Sequence, residues 1–451
     1  LNQKIHSIDE ALDFLYHSRP HGQVKLGLDR IQHLLELLGN PHQEYKTIHI
    51  AGTNGKGSTA RIMGTLLQTV HSRVGTNFSP HLVQFSERIR LNGDMISDAD
   101  ITQTLNAILP AIQRMDRMEE EMRPSFFEII TAMAFFWFAQ KDVQVAVMEV
   151  GLGGRFDATN VILPEVSIIT SIGKDHMQTL GDTLSKIAFE KAGIIKPKRP
   201  VVCGAKPLEA VQMIQKRAEE MDSPCFFLGK DFRCIPEQLS VNHNQFLYES
   251  NGLLPNDLTS VPYTLCLNGI NQMENASLAI TAFCIYCDRN DIPWTPTDLV
   301  KPLSQISWEG RFELLSKNPP IIVDGAHNEP GVIELVKNWD LYFRGQSCCL
   351  LTGILSDKDT VHMSQTLQKI ANFVVVTAPK APRPSNPRAA YDCFLPFFSP
   401  DRCLYEEDIE KALDIALTHT SSNCPLLICG SLYLVGYVRN YTISRLMNSA
   451  Q

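Results

Sequence analysis

The chain has 451 residues, 44% of them hydrophobic and 20% charged, with a net charge of −8. That length exceeds one ordinary core and implies two or three domains, the composition is that of a soluble globular protein, and the acidic balance argues against non-specific nucleic-acid binding. The apolar run Ile129–Ala139 falls well short of the ~20 residues a membrane span needs, and Leu1–Pro20 has no signal-peptide core, so the expected compartment is the cytoplasm.

Ile8, Leu12, Leu15 and Tyr16 stand at helical spacing, and a second helix is expected over Leu28–Leu38, stopped by Gly39-Asn40-Pro41. A strand over Thr47–Ala51 then runs into Ala-Gly-Thr-Asn-Gly-Lys-Gly-Ser (51–58), and an amphipathic helix should follow through Ile62, Met63, Leu66 and Leu67. Further strands are expected at Val143–Val150, Val166–Ser171 and Pro200–Gly204. Residues 206–265 show scattered β-forming residues and no clear helix, which points to an antiparallel edge or a small subdomain. A segment around Trp308–Arg311 reads as a linker. Beyond it come strands at Pro319–Asp324, Cys348–Gly353, Phe373–Ala378 and Pro425–Gly430, and a proline-rich basic loop at 378–387. Strands alternating with helices imply a doubly wound, mainly parallel sheet with its chemistry at the strand C-termini.

None of the twelve cysteines precedes Cys203, and most lie in apolar runs, so they read as reduced, buried thiols. Cys284 and Cys287 form a C-x-x-C without a second pair, which fits core positions on one helix better than zinc.

The loop at 51–58 suits a polyphosphate. Glycines let backbone N–H groups converge, and the following helix presents its positive end. Lys56 would reach the β- and γ-phosphates and Ser58 would offer a hydroxyl to Mg²⁺. The turn is shorter than in the common phosphate loop, and Gly57 separates Lys56 from Ser58; the plain alternative is a Gly/Asn turn with a solvated lysine. Glu149 ends a strand before Gly151-Leu152-Gly153-Gly154-Arg155, where it would ligate Mg²⁺ or pair with Arg155. A dinucleotide fingerprint fails there, because Phe156 occupies the third glycine position. His176 follows another strand at the same sheet edge and is a metal or phosphate candidate. Lys191 precedes a glycine helix cap at Gly193 and reads by itself as a solvated lysine or a partner of Glu190. Ser79, in a Ser-Pro loop, gains meaning as a metal-site hydroxyl only beside the others. Arg311 and Asp324 would hold a nucleotide's phosphates and ribose across a domain junction, or form an interdomain salt bridge. Arg383, in the proline-rich loop, would bind an anionic amino acid, with a bland surface loop as the alternative.

In order along the chain stand AGTNGKGST (51–59), SPHLVQFSERI (79–89), EVGLGGRFDATN (149–160), TSIGKDHMQTLGDTLSKIAFEKAGIIK (170–196), GRFELL (310–315) and DGAHNEPGV (324–332). In these stretches the chain resembles the folylpolyglutamate synthases and dihydrofolate synthases, a branch of the Mur ligase superfamily. The resemblance implies an α/β protein: a phosphate-loop, Mur ligase-like domain at about 1–306, and a C-terminal Rossmann-like domain at 307–451, with the active site between them. It implies ATP contacts at Thr53, Asn54, Gly55, Lys56, Gly57, Ser58, Asn275, Arg311, Asp324 and His327. It also implies two Mg²⁺ sites at Ser58, Ser79, Glu149, His176 and a carbamylated Lys191, with Lys56, His176 and Lys191 as catalytic residues. Pterin contacts carry over to Ser125, Phe156, Asp157 and Ala158, with a loop near Lys25-Leu26.

The implied reaction adds L-glutamate to the γ-carboxylate of a folate at the expense of ATP, through an acyl phosphate, in a monomer that needs no nucleic acid or membrane. Three alternatives remain: glutamate joined to dihydropteroate, alone or on the same chain; a cell-wall precursor ligase; or a nucleotide-binding protein without ligase chemistry. Slow ATP turnover indifferent to folate and glutamate would mark the last.

Overall fold

The computed structural model describes residues 4–19, 27–251, 261–381 and 385–449. Among the described residues eleven strands precede residue 270, at Lys46–Ala51 (β1), Val74–Asn77 (β2), Ile89–Leu91 (β3), Asp94–Met95 (β4), Val145–Glu149 (β5), Val166–Ile169 (β6), Val201–Cys203 (β7), Cys225–Phe227 (β8), Phe232–Ser240 (β9), His243–Ser250 (β10) and Pro262–Leu265 (β11). The first eight form one sheet in the order β4-β3-β2-β5-β1-β6-β7-β8, antiparallel only along the β4-β3-β2 edge. The last three make a small antiparallel sheet, as the pattern of 206–265 led one to expect.

Ile50 pairs with Glu149 and Ala51 with Ile169, so the loops after β1, β5 and β6 leave the sheet at one edge. That shared exit brings distant motifs together. The helices Lys56–Leu67 and Ile270–Arg289 cover one face, while Ile8–His17, Asp29–Leu37, Asp98–Asp116 and Phe126–Gln140 cover the other. Each of those faces is dry and apolar, which supplies the main driving force for the layering.

After the helix Val300–Gln305 the chain passes through Trp308–Arg311 into a six-stranded sheet. Its strands are Glu313–Lys317 (β12), Pro320–Val323 (β13), Cys348–Thr352 (β14), Ala371–Val376 (β15), Cys403–Tyr405 (β16) and Leu426–Cys429 (β17), ordered β12-β13-β17-β14-β15-β16. Only β12 is antiparallel to its neighbour. The seam between the two α/β units follows the helix Glu329–Phe343. Asn338 Nδ2 donates to Asn271 Oδ1 at 3.0 Å, the Tyr342 hydroxyl donates to Asn244 Oδ1 at 2.8 Å, and Gly269 N–H donates to that hydroxyl at 2.7 Å.

Two points of the sequence reading need correction. Residues 206–265 do contain a helix, Leu208–Glu220; its buried stripe is only Ala210, Ile214 and Ala218, too faint an apolar signal to read. Strands β2 to β4 went unread because they are two to four residues long and owe their place to the neighbouring strand. Gly193 is the C-cap of the helix Leu184–Ala192, as expected, with φ −60 in the ordinary helical region. Glycine is needed there for space: a Cβ would lie 2.4 Å from the Arg155 Cα. All twelve cysteines are free, and Cys284 and Cys287 are buried on one helix. Among the described residues no helix is long and apolar enough to cross a membrane.

Candidate functional site

A cleft of about 1550 Å³ lies between the two units, and the motif residues converge on it. Gly55 takes a left-handed φ of 86 just before the helix that Lys56 opens. Gly52 also needs to be glycine, because a Cβ would meet Thr170 Oγ1 at 1.9 Å. The end of β6 fastens the loop: Thr53 N–H donates to Ser171 O at 2.8 Å, and Thr170 Oγ1 donates to Asn54 O at 2.7 Å. Lys56 Nζ curls back onto Gly52 O at 3.0 Å and Thr53 O at 3.2 Å. Ser58 is buried on the same helix, and Asn275 lies against Gly55.

Glu149 is 4% exposed at the end of β5 and accepts Ser79 N–H at 3.0 Å. Burial pushes its carboxyl up to about 7, against the pull of Lys56, the Ser79 amide, Arg311 and Arg88. Arg155, the alternative partner, pairs with Glu190 at 2.7 Å instead. Ser79 Oγ is buried with no hydrogen-bond partner. Lys191 is 5% exposed, not a solvated lysine, and donates to Gly52 O at 2.8 Å. Burial, reinforced by the Lys56 charge, pulls its ammonium down to about 7. His176 adopts a left-handed φ of 50, with its ring Nε2 3.8 Å from Asp175 Oδ2.

Among the described residues no three His, Cys, Asp or Glu side chains group as a metal cage. The donors present are instead hydroxyls and one carboxylate. An orphaned Ser79 hydroxyl beside a carboxylate raised by burial fits a hard, oxygen-seeking, partly hydrated Mg²⁺ better than a soft metal.

Arg311 and Asp324 both belong to the C-terminal unit, so they do not face one another across the junction. Asp324 accepts the Phe312 and Ala326 amides, each at 2.8 Å, and burial raises its carboxyl. Arg311 Nη1 donates to Gly310 O at 3.1 Å, and burial lowers its guanidinium. His327 Nδ1 bonds Gly325 O at 2.7 Å, and burial pulls its imidazole down to about 4, leaving it neutral.

Ser125 caps the helix Phe126–Gln140 with a reciprocal Glu128 bond, and Ala158 is buried. Phe156 is 36% exposed at the rim under the Arg155 guanidinium, 4.3 Å from the ring centroid. The Asp157 carboxylate accepts Gly151 N–H, Leu152 N–H, Thr159 N–H and the Thr159 hydroxyl, at 3.0, 2.9, 3.0 and 2.5 Å. Those four bonds hold the glycine loop and fill the oxygens. Arg383 and the Lys25-Leu26 loop lie outside the described residues.

Sequence reasoning missed a clasp across the cleft. Asn54 and Asn328 exchange side-chain amide bonds, both at 3.0 Å. Asn328 also donates to Asp175 Oδ2 at 2.8 Å, and Asp175 pairs with Lys358 at 2.7 Å. Against burial, which raises it, Lys358 holds the Asp175 carboxyl well below the usual range. Asp-Lys-Asp at 357–359 was the only local signal.

Glu149 makes a testable case in the metal-free chain. A carboxyl whose folded value of about 7 lies above its ordinary 4.5 holds its proton more tightly when folded, so its contribution to stability falls as pH climbs through that window. Glu149→Gln keeps the Ser79 bond and removes the charge. It should gain ~1–3 kcal/mol at about pH 8, lose that gain in acid, and lose turnover. Calorimetry at both pH values checks this; equal stability at the higher pH would contradict the account.

Residues 50–283 match the Mur ligase middle domain and residues 310–432 the Mur ligase glutamate ligase domain. The chain is 35% identical to the dihydrofolate synthase/folylpolyglutamate synthase of Bacillus subtilis over 425 residues, 94% of this chain and 96% of that protein. Folylpolyglutamate synthase from Thermotoga maritima superposes with a TM-score of 0.81 at 37% identity, covering 97% of each chain. Folylpolyglutamate synthase from Mycobacterium tuberculosis, solved with ADP, gives 0.87 at 30% identity, covering 96% of this chain and 98% of that one.

Proposed function

From the premise that this chain belongs to the Mur ligase family, in the branch of the folylpolyglutamate and dihydrofolate synthases, we propose that it joins L-glutamate to the γ-carboxylate of tetrahydrofolate with ATP as co-substrate. We divide it into an ATP-binding domain, 1–306, and a C-terminal domain, 307–451. The observation that carries this reading is the convergence of Lys56, Glu149 and Lys191 on one sheet edge, facing Arg311 and His327 across the cleft.

A carboxylate is a poor electrophile. Its oxygen attacks the γ-phosphoryl group, ADP leaves, and an acyl phosphate remains. The glutamate amine then adds to the activated carbonyl, and the tetrahedral intermediate expels phosphate. The protein's part is positioning and charge neutralisation. Lys56 exchanges the Gly52 and Thr53 carbonyls for phosphate oxygens, while the loop amides from Gly55 to Ser58 hold the β-phosphate, those of Thr53 and Asn54 being bonded to Ser171. Asn275, Arg311 and Asp324 border the nucleotide, and neutral His327 offers a lone pair near it. Ser58, Ser79, Glu149, His176 and a carbamate on Lys191 would hold Mg²⁺, which supplies Lewis-acid charge at the phosphates.

A second acceptor, dihydropteroate, is favoured by the double name of the Bacillus subtilis relative. Phosphate release measured with ATP, Mg²⁺ and glutamate, against tetrahydrofolate and dihydropteroate separately, tests both readings. Release should require an acceptor and glutamate together. ATP turnover indifferent to both would overturn the ligase reading.

A further inference from the structure

Arg88 is only 8% exposed, yet its guanidinium has one hydrogen bond, from Nε to His81 Nδ1 at 2.8 Å. That imidazole nitrogen therefore carries no proton, and His81 is no counter-ion. The neighbouring Glu87 is already engaged, its carboxylate accepting the amides of Leu82, Val83 and Gln84 at 2.7, 2.9 and 2.8 Å. Among the described residues no carboxylate stands within ion-pair distance of Arg88, and the Glu149 and Glu87 charges that it feels act from beyond that distance. Arg30, on the same side of the sheet, shows the usual solution: it is paired with Glu128 at 3.0 Å. Arg90, equally buried, donates to the carbonyls of Glu87 and Gly93 and lies over two aromatic rings. Arg88 has no such set of acceptors; it lines the cleft, as do Ser79, Phe126 and Tyr433, with its guanidinium carbon 5.9 Å from the Phe126 ring centroid.

A guanidinium removed from water without an anion is costly, and its flat fork of donors matches a carboxylate. We propose that Arg88, held in place by His81, is a binding subsite for a substrate carboxylate. The inference rests on the ligase reading, which brings two carboxylate sources to this cleft: the folate-type acceptor and the incoming amino acid. The nucleotide phosphates belong to the loop around Lys56, so Arg88 should be indifferent to ATP.

Arg88→Gln and Arg88→Lys, compared with wild type by phosphate release, test this with KM read separately for tetrahydrofolate, dihydropteroate, L-glutamate and ATP. In Arg88→Gln the KM for one carboxylate substrate should rise roughly tenfold to a hundredfold, with KM for ATP within about twofold. Arg88→Lys should recover part of the loss. A rise for the acceptors assigns the subsite to them; a rise for glutamate assigns it to the amino acid. Unchanged KM values for all carboxylates, or a parallel rise for ATP, overturn the proposal. Should Arg88→Gln fail to fold, an Arg88→Lys enzyme with wild-type KM values overturns it equally. A wild-type chain that releases no phosphate with any acceptor instead refutes the ligase reading, so the two failures are distinct.

Discussion

Replacing Lys56 by alanine will stop turnover without unfolding the chain. Among the described residues Lys56 Nζ donates hydrogen bonds to two loop carbonyls, Gly52 O and Thr53 O. Two such bonds at a partly exposed site contribute about 1 kcal/mol each, well within what a folded domain tolerates. In the reaction proposed above the same ammonium would face charge spreading over a transferring phosphoryl group. Loss of one preorganised donor of this kind costs roughly 10²–10³ in kcat. Phosphate release gives the rate and a thermal melt checks the fold. A variant with near-normal kcat would remove Lys56 from the mechanism.

Lys191→Ala is expected to be as damaging, through a different chemistry. Lys56 and Lys191 both donate to the single carbonyl of Gly52, at 3.0 and 2.8 Å. Burial is the main cause that pulls Lys191 down to about 7, and the repulsion between two ammonium groups on one oxygen adds to it. Near neutrality a large share of it is then the free amine, which would add CO₂ and release a proton to give the proposed carbamate. The sign of the side chain reverses: a neighbour that repelled Lys56 and any cation would attract both. Lys191→Ala should therefore lose activity while still binding ATP, and acetate or formate filling the space should restore part of it. A density map with a bare ammonium beside occupied metal sites would sink the idea, as would a fully active Lys191→Ala enzyme.

Strands that end in a glycine turn were readable because composition and chemistry coincide there: β1 into 51–58, β5 into 151–154, β13 into 324–327. Their alternation with helices also made the parallel sheets legible. Pairings across the cleft were not legible. Asp175 meets Lys358 183 positions away, and Asn54 meets Asn328 after 274; no local pattern encodes such a partner. Burial was equally hidden. Lys191 reads by itself as a solvated lysine or a partner of Glu190 until the fold places it under the phosphate loop. The helix Leu208–Glu220 failed for a third reason, since small residues such as Ala210 and Ala218 bury a face with little hydrophobic signature.

The seam along the helix Glu329–Phe343 differs in kind from the layers on either side of it. Asn328, Asn338 and Tyr342 meet Asn54, Asn271 and Asn244, whereas each sheet is packed on hydrocarbon. Water replaces amide and hydroxyl partners almost one for one, so separating such a seam forfeits little per bond. Parting the halves would bare mostly groups that water can satisfy along this helix, with Leu82 as an apolar contact on the C-terminal core, and so would seed aggregates less readily than an oily junction of the same size.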